Sequence, residues 1–383
     1  MSGLLIPGFT DLSSYTKSSV ITPLHASNKK VIILATNDVN DTSLFLNGLT
    51  QNIIILYDLF ESIGYKSYLL QYTKTNSDKN IFLHKYNVIT PEDLIKHPMP
   101  ISTFIEIGMS VNAETRSYIR SIGAKIVKLY LGNILNIDIE TSQNFNSLFF
   151  YHHIVGELDE IWTSPHYKQH IEYASLLNRT SVTSGRIVPY VWDSCFIDEY
   201  GKYEWIPSTC SDIVIMDPNI SFQKSFFYSL LLIEAFYKKY PNWYGKIHII
   251  NGDKISITPY SQNCIASLRI KDKIVLHERK NIHTVLKDNR SACFITHQWN
   301  NDFNYMTLEL MHCNYPILHN SEGWDFGYKY DINKWDDAIQ VLYNALHNHK
   351  ENLNIYKSHT ANLIWKHSIH NPEIQSEWLS ILA

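Results

Sequence analysis

The sequence predicts an α/β protein built from two open parallel sheets that face each other across a cleft. Three observations carry that expectation. β-Branched runs of strand length alternate with helical patterns and short loops along the whole chain, as in a sheet covered on both faces. The alternation stops once, at 198–210, where Gly201 and Pro207 fall in a stretch without periodicity, and then restarts. The chain has 383 residues, more than one hydrophobic core ordinarily serves.

The elements follow in order. "KKVIILATND" at 29–38 is a β-branched run closed by turn residues, which reads as a buried strand. "GLTQN" at 48–52 is a glycine loop leading into the helix "IIILYDLFESIG", which Gly64 stops. "YKSYLLQY" and "ISTFIEIGMSV" are strands, "AETRSYIRSIG" a helix ended by Gly123, and "AKIVKLYLGN" a further strand. "LDEIWTSP" is a strand closed by Pro165, "HYKQHIEYASLLN" a helix, and "GRIVPYVWD" completes this half. The second half runs through the strand "SDIVIMDPN", the helix "QKSFFYSLLLIEAFYKKYP" ended by Pro241, and the strands "GKIHIING" and "KDKIVLHE". "NIHTVLKDN" is then a helix, "SACFITHQW" a strand and "KWDDAIQVLYNALHNH" a helix. The expected organisation is an extension at 1–28, a first domain at 29–197, a linker at 198–210 and a second domain at 211–362.

Composition narrows the function. Lys and Arg number 33 against 37 Asp and Glu, a net charge of −4, so no basic face dominates and a nucleic-acid partner is not expected. The cysteines (Cys195, Cys210, Cys264, Cys293 and Cys313) are scattered, odd in number and without C-x-x-C spacing. That pattern argues for reduced thiols and against structural zinc. The N-terminus has no basic region followed by an apolar core, and no apolar stretch approaches about eighteen residues. The expectation is a soluble protein of the cytoplasm.

The segment "HQWNNDFNYMTLELMHCNYPILHNSEGW", His297 to Trp324, concentrates the chemistry. It begins at the carboxyl end of a strand, where ligands of open α/β sheets bind. His297 therefore stands at the expected cleft, and His319 and Asn320 end the next strand there. The following helix opens with N–H groups that have no internal partner and suit a phosphate. Asn and Asp are also good helix caps, so an ordinary capped core helix explains the same residues. Glu309 resists that explanation: it stands amid Met306, Leu308, Leu310 and Met311, and a carboxylate there needs hydrogen-bond donors, for which ribose hydroxyls are suited.

This segment resembles the motif of retaining sugar-nucleotide glycosyltransferases of the GT-B type. Asn301 falls at the first acid, Phe303-Asn304 at a Phe-Gly pair, Glu309 at the second acid eight positions on, and Pro316 before the strand. It is closer to a subgroup found in large DNA viruses and some bacteria, with which it shares "HQW", Asn304-Tyr305, "YPILHNS" and "GYKY" at Gly327. "LYLGN" (129–133), "PYVWD" (189–193) and "DPNISFQK" (217–224) are also similar to that subgroup, so the resemblance spans roughly 29–345. It implies GT-B architecture, two Rossmann-like domains about a cleft, with a C-terminal helix at 363–383 crossing back to the first domain. It also implies host cytoplasm if the chain is viral. Asn301 stands where the family has an acid, and Asn304 and Asn314 where it has glycines.

The implied reaction moves a sugar from a nucleotide-diphosphate sugar to the hydroxyl of a glycan or protein. The leaving diphosphate must be stabilised as its charge develops. With no Asp-x-Asp triplet in the chain, cationic side chains and helix N-termini are expected to do this without a metal. No other cofactor is expected. Lys224, after a strand and loop and at the start of a helix, is the implied diphosphate ligand, with Asn219 in the same segment. Gly48, Gln51 and Asn52 resemble the glycine loop near donor phosphate and acceptor, and Arg279 and Lys280 border the implied nucleobase. Asn301, Asn304, Tyr305, Glu309 and Asn320 complete the donor set. In a retaining reaction the leaving phosphate can take the acceptor proton, and Asp38, ending the first strand, is the side chain that could serve as base. His166 and His170 have i,i+4 spacing without a third ligand, which argues against a metal site; the His152–His153 pair reads as structural. An epimerase or hydrolase on the same fold, and a non-catalytic sugar-nucleotide binder, are the rival readings.

Overall fold

The computed structural model describes residues 30–45, 48–73, 83–144, 158–199, 201, 203–208, 211–219, 223–256 and 258–383. The extension at 1–28, the His152–His153 pair, Cys210 and parts of the expected linker lie outside the described residues.

The first unit holds β1 (Val31–Ala35), β2 (Lys66–Leu70), β3 (Val88–Ile89), β4 (Ile101–Glu106), β5 (Lys125–Tyr130), β6 (Glu160–Thr163) and β7 (Gly185–Ile187). They form one sheet in the order β3-β2-β1-β4-β5-β6-β7, and every pairing is parallel. The second unit holds β8 (Ile213–Ile215), β9 (Ile247–Ile249), β10 (Ile274–Leu276), β11 (Cys293–Ile295), β12 (Ile317–His319) and β13 (Tyr328–Lys329). Their order is β10-β9-β8-β11-β12-β13, again all parallel. In both sheets the winding reverses between the first and fourth strands, β1 and β4 in one and β8 and β11 in the other. These are the topological switch points at whose carboxyl ends such sheets bind ligands.

Burial explains the strand sequences. All five residues of β1 are buried, as expected where helices cover both faces and no polar alternation is needed. One hydrophobic cluster runs from Ile32 and Ile53 in the first unit through Tyr305 and Leu308 to Phe294 and Trp324 in the second. The outer faces have their own cores, around Ile233 and Phe236 in one unit and Ile33 and Phe104 in the other.

Several elements differ from the sequence reading. β3 and β13 have two residues each, too short to leave a pattern. "HYKQHIEYASLLN" begins as a 3-10 turn, Pro165–His170, and becomes α-helical only at Ile171–Leu177. The aperiodic stretch after 198 packs on the second unit: Trp205 is buried, its backbone N–H donates to the Cys313 carbonyl at 3.1 Å, and the Ile206 backbone N–H donates to the Arg290 carbonyl at 2.9 Å. Where the sequence reads one helix at 363–383, the chain forms His349–His367 and then Pro372–Leu382. The break is local chemistry. Asn371 accepts from the Glu373 N–H, and Pro372 takes a first-turn position where no N–H is required.

The final helix packs against the first unit. Trp378 is fully buried, with ring centroids 5.2 Å from Phe60 and 5.7 Å from Trp162, both edge-on. Trp378→Ala is therefore expected to cost about 3–5 kcal/mol in urea unfolding, and Trp378→Phe clearly less. Equal, small losses for both would show that the final helix is not needed for the first unit's core.

Candidate functional site

The richest polar cluster lies at the switch point of the second sheet. Asp217 follows β8 by two residues and is fully buried. Its Oδ1 accepts from the Thr296 hydroxyl at 2.7 Å and from Gln298 Nε2 at 3.3 Å, while its Oδ2 has no hydrogen-bond partner. Burial pushes this carboxyl up to about 7, against the opposing hydrogen bonds from Thr296 and Gln298 and the charge of Lys224. Lys224 is bridged in antiparallel fashion to Gln298, and burial lowers its proton affinity while Asp217 opposes that shift. The helix expected to start at Lys224 starts at Phe226, so Lys224 sits on the loop before it. Asn219, with φ of 58°, braces this loop: its Oδ1 accepts from the Phe226 N–H at 2.8 Å and its Nδ2 donates to the Ile250 carbonyl at 3.0 Å.

Gln298 is the hub of the cluster. Asn320 clips it on both backbone groups, accepting from its N–H at 2.9 Å and donating to its carbonyl at 2.8 Å, which ties the ends of β11 and β12 together. Gln298 Oε1 accepts from the Asn301 side chain, whose Oδ1 in turn accepts from the Tyr167 hydroxyl of the first unit. Asn301 thus uses its donor and its acceptor, which an ionised carboxylate could not do. His297 is buried; its Nδ1 lies 2.9 Å from the Tyr330 hydroxyl, its Nε2 has no partner, and burial lowers the imidazole to about 4. His319 is turned to the Phe326 carbonyl at 2.6 Å.

The helix Tyr305–His312 is capped by Asn304, whose Oδ1 accepts from the Met306 N–H at 3.0 Å. The Tyr305 hydroxyl reaches into the first unit, 2.5 Å from Asn52 Oδ1 and 2.7 Å from the Val191 carbonyl. Glu309 is buried and accepts from Gln51 Nε2 at 3.3 Å; burial pushes its carboxyl up to about 7, with the Gln51 bond opposing. The partner found for this carboxylate is therefore an amide of the facing unit.

On that side the glycine loop expected at 48–52 is already the first turn of the helix Gly48–Ser62. A Cβ on Gly48 would stand 3.8 Å from the Tyr305 ring, so the two helix N-termini abut across the seam. Both present the positive end of a helix dipole. His166 approaches from the same unit and packs against Phe303 at 5.0 Å. Burial first, then the nearby Lys224 charge, lower its imidazole to about 3, and its Nδ1 is buried without a partner.

The structure thus gathers Lys224, His297, Asn301 and Asn320 around Gln298, and Gln51, Asn52, Tyr305 and Glu309 across the seam. Three expected residues stand apart. Asp38 accepts from the Thr73 hydroxyl, Lys280 pairs with Asp288 at 3.0 Å, and Arg279 is exposed beyond β10, the outermost strand of its sheet. Asp217, His166 and Tyr167 were not singled out as ligand-facing residues. Asp217 could have been: it follows a strand as closely as His297 does.

Residues 32–382 match the family described as "Protein of unknown function (DUF2827)", and the chain belongs to that family. No curated protein matches it. Its fold is similar to a glycosyltransferase from Rickettsia africae, with a TM-score of 0.55, 13% identity, and 93% of this chain and 98% of the other covered. An alpha-glucosyltransferase solved with UDP and a 13-mer DNA gives 0.58 at 11% identity, covering 92% and 99%. The HepE protein of Anabaena, solved with UDP-glucose, gives 0.56 at 9% identity over the same shares. At such identities the likeness is one of fold, and the fold is the GT-B architecture. One of these proteins holds DNA, so net charge alone does not bar a nucleic acid from this fold.

Glu309 supplies a test of the seam. Its folded carboxyl titrates near 7 against a reference of 4.5, so between these values the folded state holds more protons than the unfolded. Its contribution therefore lowers stability as pH rises from about 4.5 to 7, then levels off. Glu309→Gln keeps an acceptor for Gln51 and removes this loss, so the variant should gain up to about 3 kcal/mol at pH 8 and little at pH 4. Chemical denaturation at the two values checks it. A destabilised variant at pH 8 would show that the ionised carboxylate is needed.

Proposed function

We propose that the chain is a glycosyltransferase that moves a sugar from a nucleotide-diphosphate sugar to an acceptor hydroxyl, without a metal ion and with retention of configuration. The observation that carries this reading is Lys224, a cation held at the second sheet's switch point, across from His166 and close to the seam where two helix N-termini meet. The fold-mates solved with UDP or UDP-glucose support the same class of ligand.

The chemistry needs little more. The bond from the sugar to the diphosphate breaks, the bond to the acceptor oxygen forms, and the acceptor proton passes to the leaving phosphate. Lys224 and the N–H groups around Asn304 and Tyr305 stabilise the charge that develops there. Glu309 accepts from the ribose, exchanging Gln51 for the donor's hydroxyls, and His297 faces the sugar. The acceptor is a glycan or protein hydroxyl entering from the Gly48 side. Asn301 favours one rival, binding without turnover, because an amide committed to Gln298 and Tyr167 has replaced an acid.

A panel of nucleotide sugars tested by thermal shift, with and without EDTA, examines the reading. A donor at a hundred times its dissociation constant should stabilise by about 2.7 kcal/mol. Nucleotide release with an acceptor present should survive the chelator. Loss in EDTA, restored by manganese, would sink the metal-free mechanism, and binding without release would favour the rival. Lys224→Ala should weaken UDP by about 1.5–3 kcal/mol and leave uridine nearly unchanged. Equal losses for both would make the lysine a surface charge.

A further inference from the structure

Asp217 has no part in the reaction as drawn, yet it is the most completely enclosed carboxyl at the site. Its side chain is 0% exposed, one oxygen is fixed by Thr296 and Gln298, and the other has no partner. The charged or titratable groups around it are few. Lys224 approaches from the loop before the Phe226 helix, and among the described residues its ammonium has no hydrogen bond or ion pair. Asn251, after β9, donates to the Asp217 carbonyl at 3.1 Å, and Tyr330 lies behind β13. His297 at the end of β11 and His166 beyond Lys224 are both neutral imidazoles near pH 7.

We propose that Asp217 and Lys224 form a proton-linked anion site, in which docking of a nucleotide diphosphate on Lys224 draws one proton from solvent onto Asp217. This rests on the donor reading above. With Asp217 ionised, the pair has no net charge, and the carboxylate opposes each phosphate that approaches the lysine. With Asp217 protonated, the pair is a single cation, half-buried beside a fully buried carboxyl. The orphan oxygen is where that proton resides. Asp217 acts through Lys224 and is a positioning residue.

The sign follows from linkage. The empty site titrates near 7, and a bound anion raises that value further, so above 7 the complex holds more protons than the free protein. Affinity is then level below about pH 6 and falls above 7, approaching tenfold per unit.

Calorimetry with UDP-glucose decides the matter. Both its phosphates are esterified, so the probe lacks the monoester step near 6. At pH 8, in two buffers of different ionisation heat, the parent should take up close to one proton. Asp217→Asn keeps shape and an acceptor for Thr296, so it should bind at pH 8 at least as tightly as the parent at pH 6. Its affinity should be level across pH 6–9, with no proton uptake. A parent that binds without proton uptake overturns the proposal, and so does an Asn variant that is folded but weaker at every pH. Uptake that persists in Asp217→Asn also overturns it, placing the proton on Lys224 or a histidine. If the Asn variant does not fold, Asp217→Ser, which also lacks the carboxyl, takes its place in both measurements. A parent that binds neither UDP-glucose nor any other nucleotide sugar removes the donor reading itself, an outcome distinct from binding without a proton.

Discussion

The phenol of Tyr305 is the contact on which the seam depends. It starts a helix in the second unit and ends, 2.5 Å from Asn52 Oδ1 and 2.7 Å from the Val191 carbonyl, inside the first. A buried hydroxyl must find a partner, and its single proton is shared between two acceptors that belong to the facing unit. The ring below it rests on Gly48, the first residue of the opposing helix, so the polar tip and the apolar body fix the same approach. Two helix N-termini are thereby held together, although their like partial charges repel.

The same constraint explains why acids at the seam titrate so high. Glu309 and Asp217 are both buried with their charges met by amides, a hydroxyl and the Lys224 ammonium, and desolvation dominates each. A seam built only for stability would place apolar side chains there, since burying unpaired polar atoms costs free energy. Instead, Asp217 Oδ2, His297 Nε2 and His166 Nδ1 are left without partners within one region. Such groups can be satisfied when a polar ligand enters. The fold supports this arrangement through its cores, with the cluster around Ile233 and Phe236 behind the second sheet and Trp378 clamped between Phe60 and Trp162 behind the first.

Much of this was legible in the sequence, for reasons that differ by element. The buried strands were plain because full burial in a parallel sheet demands unbroken apolar runs, as in β1. The two-residue strands β3 and β13 were not, since pairing that short leaves no period. His297 and Glu309 stand out from a strand end and a charge out of place, whereas Lys224 stands out only through the family resemblance. What the sequence could not reveal is which polar groups spend themselves on each other. Glu309 with Gln51 and Asn301 with Tyr167 are contacts between residues more than a hundred positions apart. Asp38 and Lys280 looked equally placed and are occupied by Thr73 and Asp288. His166 carried no signal beyond its spacing to His170, because its importance comes from the unit it faces.

Two of the three asparagines in the motif have a common explanation, the helix Tyr305–His312. Asn314 lies at φ of 61°, directly after the Tyr305 helix and its C-cap Cys313. Its N–H bonds the Met311 carbonyl at 2.9 Å, and that of Tyr315 bonds Leu310 at 2.9 Å, the paired closure of a left-handed helix end in which Asn is second only to glycine. Asn304 caps the same helix at its start. Both replacements of glycine therefore preserve the helix, and both gain a local hydrogen-bonding or conformational fit. Asn301 is different. Its amide donates to Gln298 and accepts from Tyr167, a pairing that ties the two units together. An ionised carboxylate at 301 could not make both contacts, so the tie between the units requires the amide.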